Sequence, residues 1–102
     1  MESWKLKNYV LEYFKGEQPH TIDGIIGYIT MKYKNEGLLV DENGYTTMVP
    51  KLPSEEIMYI NDLVQDLFIE KIIAFGYSHN YPSYPYLRVR DAERLEQILG
   101  KN

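Results

Sequence analysis

The sequence predicts an α+β fold, and three observations carry that expectation. Apolar residues recur at helical spacing in three stretches ahead of residue 72. Two β-prone runs, 72–75 and 86–90, flank a loop rich in Tyr, Pro and Ser. A short amphipathic segment opening at Asp91 then closes the chain. With 102 residues, 44% of them hydrophobic and 25% charged, the chain reads as a single domain, 1–102, large enough to fold around its own core.

The first helix spans 3–15. Leu6, Val10, Tyr13 and Phe14 share its core face, and Gly16 and Pro19 end it. Trp4 and Leu11, seven apart, form a second stripe beside that face. Two readings of the stripe stand: packing within the monomer, or a homodimer contact. The second helix starts at Thr21 as N-cap, with Asp23 in its first turn. Ile22, Ile25, Ile26 and Ile29 follow the i, i+3, i+4, i+7 template. Gly24 and Gly27 each cost a helix about 1 kcal/mol relative to Ala, which points either to close approach of another helix or to a frayed, short helix. This helix ends between residues 33 and 37. In 37–53, Asn43-Gly44 between two β-prone runs signals an extra hairpin, closed by Pro50 and Pro53.

The third helix takes Ser54 as its N-cap, with Glu55 and Glu56 filling the first turn. Ile57, Ile60, Val64, Leu67 and Phe68 make its buried stripe, with Leu63 beside it. The opposite face carries Glu55, Tyr59, Asp62, Asp66 and Glu70. A strand over 72–75, a loop over 76–85 and a returning strand over 86–90 follow. Asp91 caps a short last helix with Leu95, Ile98 and Leu99 on one face, and Gly100 stops it.

The order helix, helix, helix, strand, long loop, strand resembles the winged helix-turn-helix family. The stretch His20-Thr21-Ile22-Asp23-Gly24-Ile25-Ile26-Gly27-Tyr28-Ile29 resembles the second helix of such domains. Ile57 through Leu63, Leu67 and Ile72 to Gly76 resembles the third helix running into the wing strand, and 86–91 the strand after the wing. The resemblance covers about residues 3 to 99 and is one of pattern, without a signature motif. It implies a winged-helix-like three-helix core with a β-hairpin wing, and a DNA-associated transcriptional regulator whose third helix enters the major groove. Carried over by position, the third-helix residues are Tyr59, Asp62, Gln65 and Asp66. The wing residues are His79, Asn80, Tyr81, Ser83 and Tyr84, with Arg88 and Arg90 on the strand behind. The segment 37–53 departs from the family, which joins these helices closely.

Charge opens a second reading. Eleven Lys+Arg against fifteen Asp+Glu give a net charge of −4, which excludes a basic nucleic-acid coat protein. Residues 53–76 hold one base, Lys71, and five acids, Glu55, Glu56, Asp62, Asp66 and Glu70. The third-helix region alone therefore carries the whole excess. Duplex DNA has one negative charge per ~1.7 Å of axis and would repel that stripe. A DNA contact would have to use the wing with Arg88 and Arg90, or Lys5, Lys7, Lys32, Lys34 and Lys51. The alternative is a protein-binding adaptor or inhibitor, comparable by analogy to small phage or mobile-element inhibitors, acting through the acidic helix and the Tyr-rich wing. A solvated helix face is the third account of the acids. Tyr77, Tyr81, Tyr84 and Tyr86 either present contact area to a partner or fold down on their own domain.

Catalysis finds little to build on. The chain has no Cys, so disulfides, thiolate chemistry and Cys-based zinc sites are excluded, and a cytoplasmic location is expected. His20 and His79 are the only neutral-pH bases. Gly24-Ile25-Ile26-Gly27 lacks the Lys of a phosphate loop, and adjacent Glu55 and Glu56 point apart on a helix. No metal or other cofactor is expected. No signal peptide is visible, and no apolar run approaches the ~18 residues of a membrane span. The expectation is a non-enzymatic binding module whose partner is DNA or a protein.

Overall fold

Four helices and a three-stranded antiparallel sheet share one hydrophobic core in the computed structural model, which describes residues 3–36 and 52–100. In chain order these are α1 (Ser3–Lys15), β1 (His20–Thr21), α2 (Ile22–Asn35), α3 (Ser54–Ile69), β2 (Ile73–Phe75), β3 (Tyr86–Val89) and α4 (Ala92–Leu99). The expected hairpin over 37–53 lies outside the described residues except for Leu52, which is buried, and Pro53. No helix among the described residues is long and apolar enough to cross a membrane.

The α1 bounds and core face are as expected, with Leu6, Val10, Tyr13 and Phe14 buried. The Thr21 hydroxyl caps α2 by accepting from the Gly24 amide at 2.9 Å. Ile25 and Ile29 are fully buried beneath it. The two glycines of α2 separate here. A Cβ at Gly24 would lie 2.1 Å from the Tyr13 hydroxyl, so glycine is what lets α1 close on α2. Gly27 has no neighbour within 4 Å among the described residues, so the close approach expected there is not made by them.

The start of α3 differs from expectation. Pro53 is its N-cap, and no side chain caps it. Ser54 is already helical, so its hydroxyl is not placed as a cap, and Glu55 and Glu56 are left to complement the helix dipole. Its inner face buries Ile60, Leu63, Val64 and Leu67, each worth roughly 1.5–3 kcal/mol of apolar transfer. The helix ends with Lys71 at φ 60°. The Lys71 amide donates to the Phe68 carbonyl at 3.0 Å and the Ile72 amide to the Leu67 carbonyl at 2.9 Å. That is the paired closure of a Schellman motif, made here without glycine.

Strand β1 is the element that periodicity could not announce, because two residues show none. It adds to β3 (His20↔Leu87, Thr21↔Tyr86), while β2 lies on the other side (Ile73↔Val89, Phe75↔Leu87), giving the order β1-β3-β2. Leu87, on the central strand, is fully buried. In α4, Asp91 accepts from the Arg94 amide at 3.1 Å, and Leu95 and Leu99 pack inward as expected.

Candidate functional site

The outer face of α3 and the loop 76–85 meet through a row of aromatic rings. Phe68 of α3 packs on Phe75 of β2, with centroids 4.6 Å apart, and Phe75 meets Tyr84 of the loop edge-on at 5.6 Å. Tyr84 is 69% exposed and Phe75 44%, so the row opens toward solvent. Helical geometry places Met58, Asp62, Gln65 and Ile69 on one outward line, with Asp66 and Glu55 to one side and Phe68 to the other. Met58 and Ile69 are 65% and 66% exposed, among the barest large apolar side chains of the described residues. Asp62, Gln65 and Asp66 are exposed as expected, and Asp62 and Asp66 form no ion pair among the described residues. Tyr59 departs from its expected exposure. It is half-buried against the core, because its place on the turn lies closer to the inner face.

The loop is fixed by its own backbone. Gly76, at φ 90°, donates to the Tyr86 carbonyl at 2.6 Å, and a Cβ there would sit 2.5 Å from the Pro82 carbonyl oxygen. The Tyr77 amide donates to the Tyr81 carbonyl at 2.7 Å, and the Tyr81 amide to that of Ser78 at 3.0 Å. His79 and Asn80 therefore stand at an exposed tip. Tyr81 lies against Tyr86 at 4.5 Å. The four tyrosines divide between the two readings the sequence left open. Tyr77 turns inward, donating to the Glu17 carbonyl at 3.1 Å and meeting His20 edge-on, while Tyr84 projects outward.

Several cations of the described residues are engaged within the fold. Arg88 donates to the Phe75 carbonyl, which ties its guanidinium to the sheet edge. Arg90 is exposed and its amide bonds the Ile72 carbonyl, away from the loop tip. Lys5 pairs with Glu36 at 2.8 Å, Lys32 with Glu12 at 3.5 Å and Lys15 with Glu96 at 3.2 Å. Such exposed pairs add little stability, but each offsets the charge of its own lysine. Arg94, which sequence reasoning gave no role, closes the end of α3. It donates to the Glu70 carbonyl at 3.1 Å and pairs with the Glu70 carboxylate at 2.8 Å. Glu70 thus leaves the set of free acids.

His20 is buried among Tyr13, Phe14 and Tyr77, with Nε2 3.0 Å from the Gly16 carbonyl. Burial, more than its backbone hydrogen bonds, moves its pKa below the ordinary histidine value. It ties β1 to the turn that follows α1. The Trp4 and Leu11 stripe also divides. Leu11 is buried beside α4, within 3.3 Å of where a Cβ at Gly100 would lie, while Trp4 is exposed. Leu11 therefore packs within the monomer.

No family model, curated protein or solved structure matches this chain.

Proposed function

We propose that the chain is a winged-helix-like, non-enzymatic binding module of the cytoplasm that engages a protein partner through the outer face of α3 and the adjoining loop. The winged-helix reading is supported by the order of its elements and by β3 lying between β1 and β2. The observation that carries the protein-partner reading is the make-up of the outer α3 face. Met58 and Ile69 stand in solvent there, in line with Asp62 and beside Asp66. Burying apolar surface against a protein gains roughly 25 cal/mol per Å². The same face set into a DNA groove would meet phosphates with free carboxylates.

A second reading, a DNA-associated transcriptional regulator, draws on the same element order, since winged helices mostly bind DNA. It would have to use Arg88 and Arg90 on the strand behind the wing, or lysines of other faces, of which Lys7 and Lys34 have no ion pair among the described residues and Lys51 lies outside them. The test is charge reversal. The double change Asp62→Lys with Asp66→Lys is expected to abolish capture of the partner in pull-downs from cells that encode the protein. Every interaction surviving that change would contradict the reading.

A further inference from the structure

We infer that the outer α3 face seats a basic amphipathic helix of the partner, an inference that rests on the protein-partner reading. Positions 58, 62, 65 and 69 advance by four, three and four, so they stay on one line about 16 Å long. Its two ends are the exposed apolar side chains Met58 and Ile69, and its middle is polar. A partner helix laid along α3 repeats apolar side chains with the same period and can meet both ends from one face. Methionine adapts its shape to such a neighbour at little cost.

Charge chooses the sign of the partner. Asp62 lies on the line and Asp66 and Glu55 along one flank of it, none of them ion-paired among the described residues. Glu70 is already held by Arg94. A helix with Lys or Arg beside its apolar stripe places those cations against this flank, and an acidic helix would be repelled. The opposite flank offers the Phe68, Phe75 and Tyr84 rings, which accept either apolar side chains or a cation over a ring face. One helix with a basic edge and an apolar stripe therefore matches all three strips.

The test is an NMR titration of the isotope-labelled full chain with three synthetic peptides of about 18 residues. One is a Leu/Lys helix with its Leu on one face. The second replaces Lys by Glu. The third scrambles the first so that Leu is spread around the helix. The first peptide is expected to bind at least tenfold more tightly than the other two. Its shifts should fall on Met58, Asp62, Gln65, Ile69, Phe75 and Tyr84. Changing Met58→Lys with Ile69→Lys should weaken it at least tenfold while leaving the melting temperature unchanged, since both side chains are exposed. Equal binding of the scrambled or acidic peptide, or shifts confined to other faces, would overturn the inference. A photo-crosslinker at position 69 separates this failure from that of the broader reading. A crosslinked partner segment that is acidic or not helical overturns the basic-helix assignment and leaves a protein partner standing. Crosslinking to nucleic acid alone overturns both.

Discussion

Two aromatic clusters lie at opposite ends of the same loop, and they have opposite fates. Tyr13, Phe14, His20 and Tyr77 surround one another at 5.0–5.7 Å, sealed between α1 and β1. Phe68, Phe75 and Tyr84 stack just as closely, but only Phe68 leans on the core while Phe75 and Tyr84 open to water. Ring contact alone therefore does not mark a core. In the inner cluster each polar side chain has a partner within the fold: Tyr77 donates to the Glu17 carbonyl, His20 Nε2 bonds that of Gly16, and the Thr21 amide donates to the Tyr13 hydroxyl at 2.9 Å. Phe75 and Tyr84 of the outer cluster keep apolar area in water, which is what a docking surface needs.

The largest contrast is between truncations in the two clusters. Phe14→Ala should cost about 3–5 kcal/mol, as an aromatic lost from a filled core does. Tyr84→Ala should change stability by no more than about 0.5 kcal/mol and weaken partner binding. Denaturant unfolding of both variants checks this, and comparable losses would erase the distinction. Next come the glycines of α2. Gly24→Ala pushes a methyl into the Tyr13 hydroxyl of the inner cluster and should cost about 1–3 kcal/mol. Gly27→Ala meets none of the described residues and should stabilise by up to about 1 kcal/mol through helix propensity. Thermal melts of the pair should move in opposite directions.

His20 gives the inner cluster a pH signature. Its folded pKa lies below 6.5, so as pH falls past that value the unfolded chain takes up a proton before the fold does. The stabilisation is complete above pH 6.5 and declines in more acidic solution. His20→Gln should flatten that part of the stability–pH curve, and an unchanged slope would show that His20 is not responsible. At the small end, Lys71→Gly relieves the left-handed residue that closes α3 and should stabilise by about 1 kcal/mol.

Much of the fold could be read from local chemistry. The α1 face, the Thr21 and Asp91 caps and the strands around the loop each follow from spacing or from one capping side chain. Strand β1 could not, since His20–Thr21 pairs only because β3 arrives beside it. Ser54 looked like a cap because its hydroxyl is the right chemistry, but the helix begins one residue earlier than that role allows. In the candidate site, Asp62 and Asp66 were legible from helical spacing. Met58 and Ile69 obey the same arithmetic, and their falling off the core stripe was the available signal. The meeting of Phe68, Phe75 and Tyr84 is tertiary and has no local signature. Counting charge by segment placed Glu70 among the free acids, whereas Arg94, distant in sequence, neutralises it.

The most direct measurement is a fluorescence-anisotropy titration with duplex DNA at about 50 and 200 mM salt. A protein-docking module with a free acidic outer face predicts no salt-dependent binding, even at the lower salt. Phosphate contacts would release counterions, so an affinity falling by about 10³ or more between the two salts, as six or more such contacts require, would contradict it.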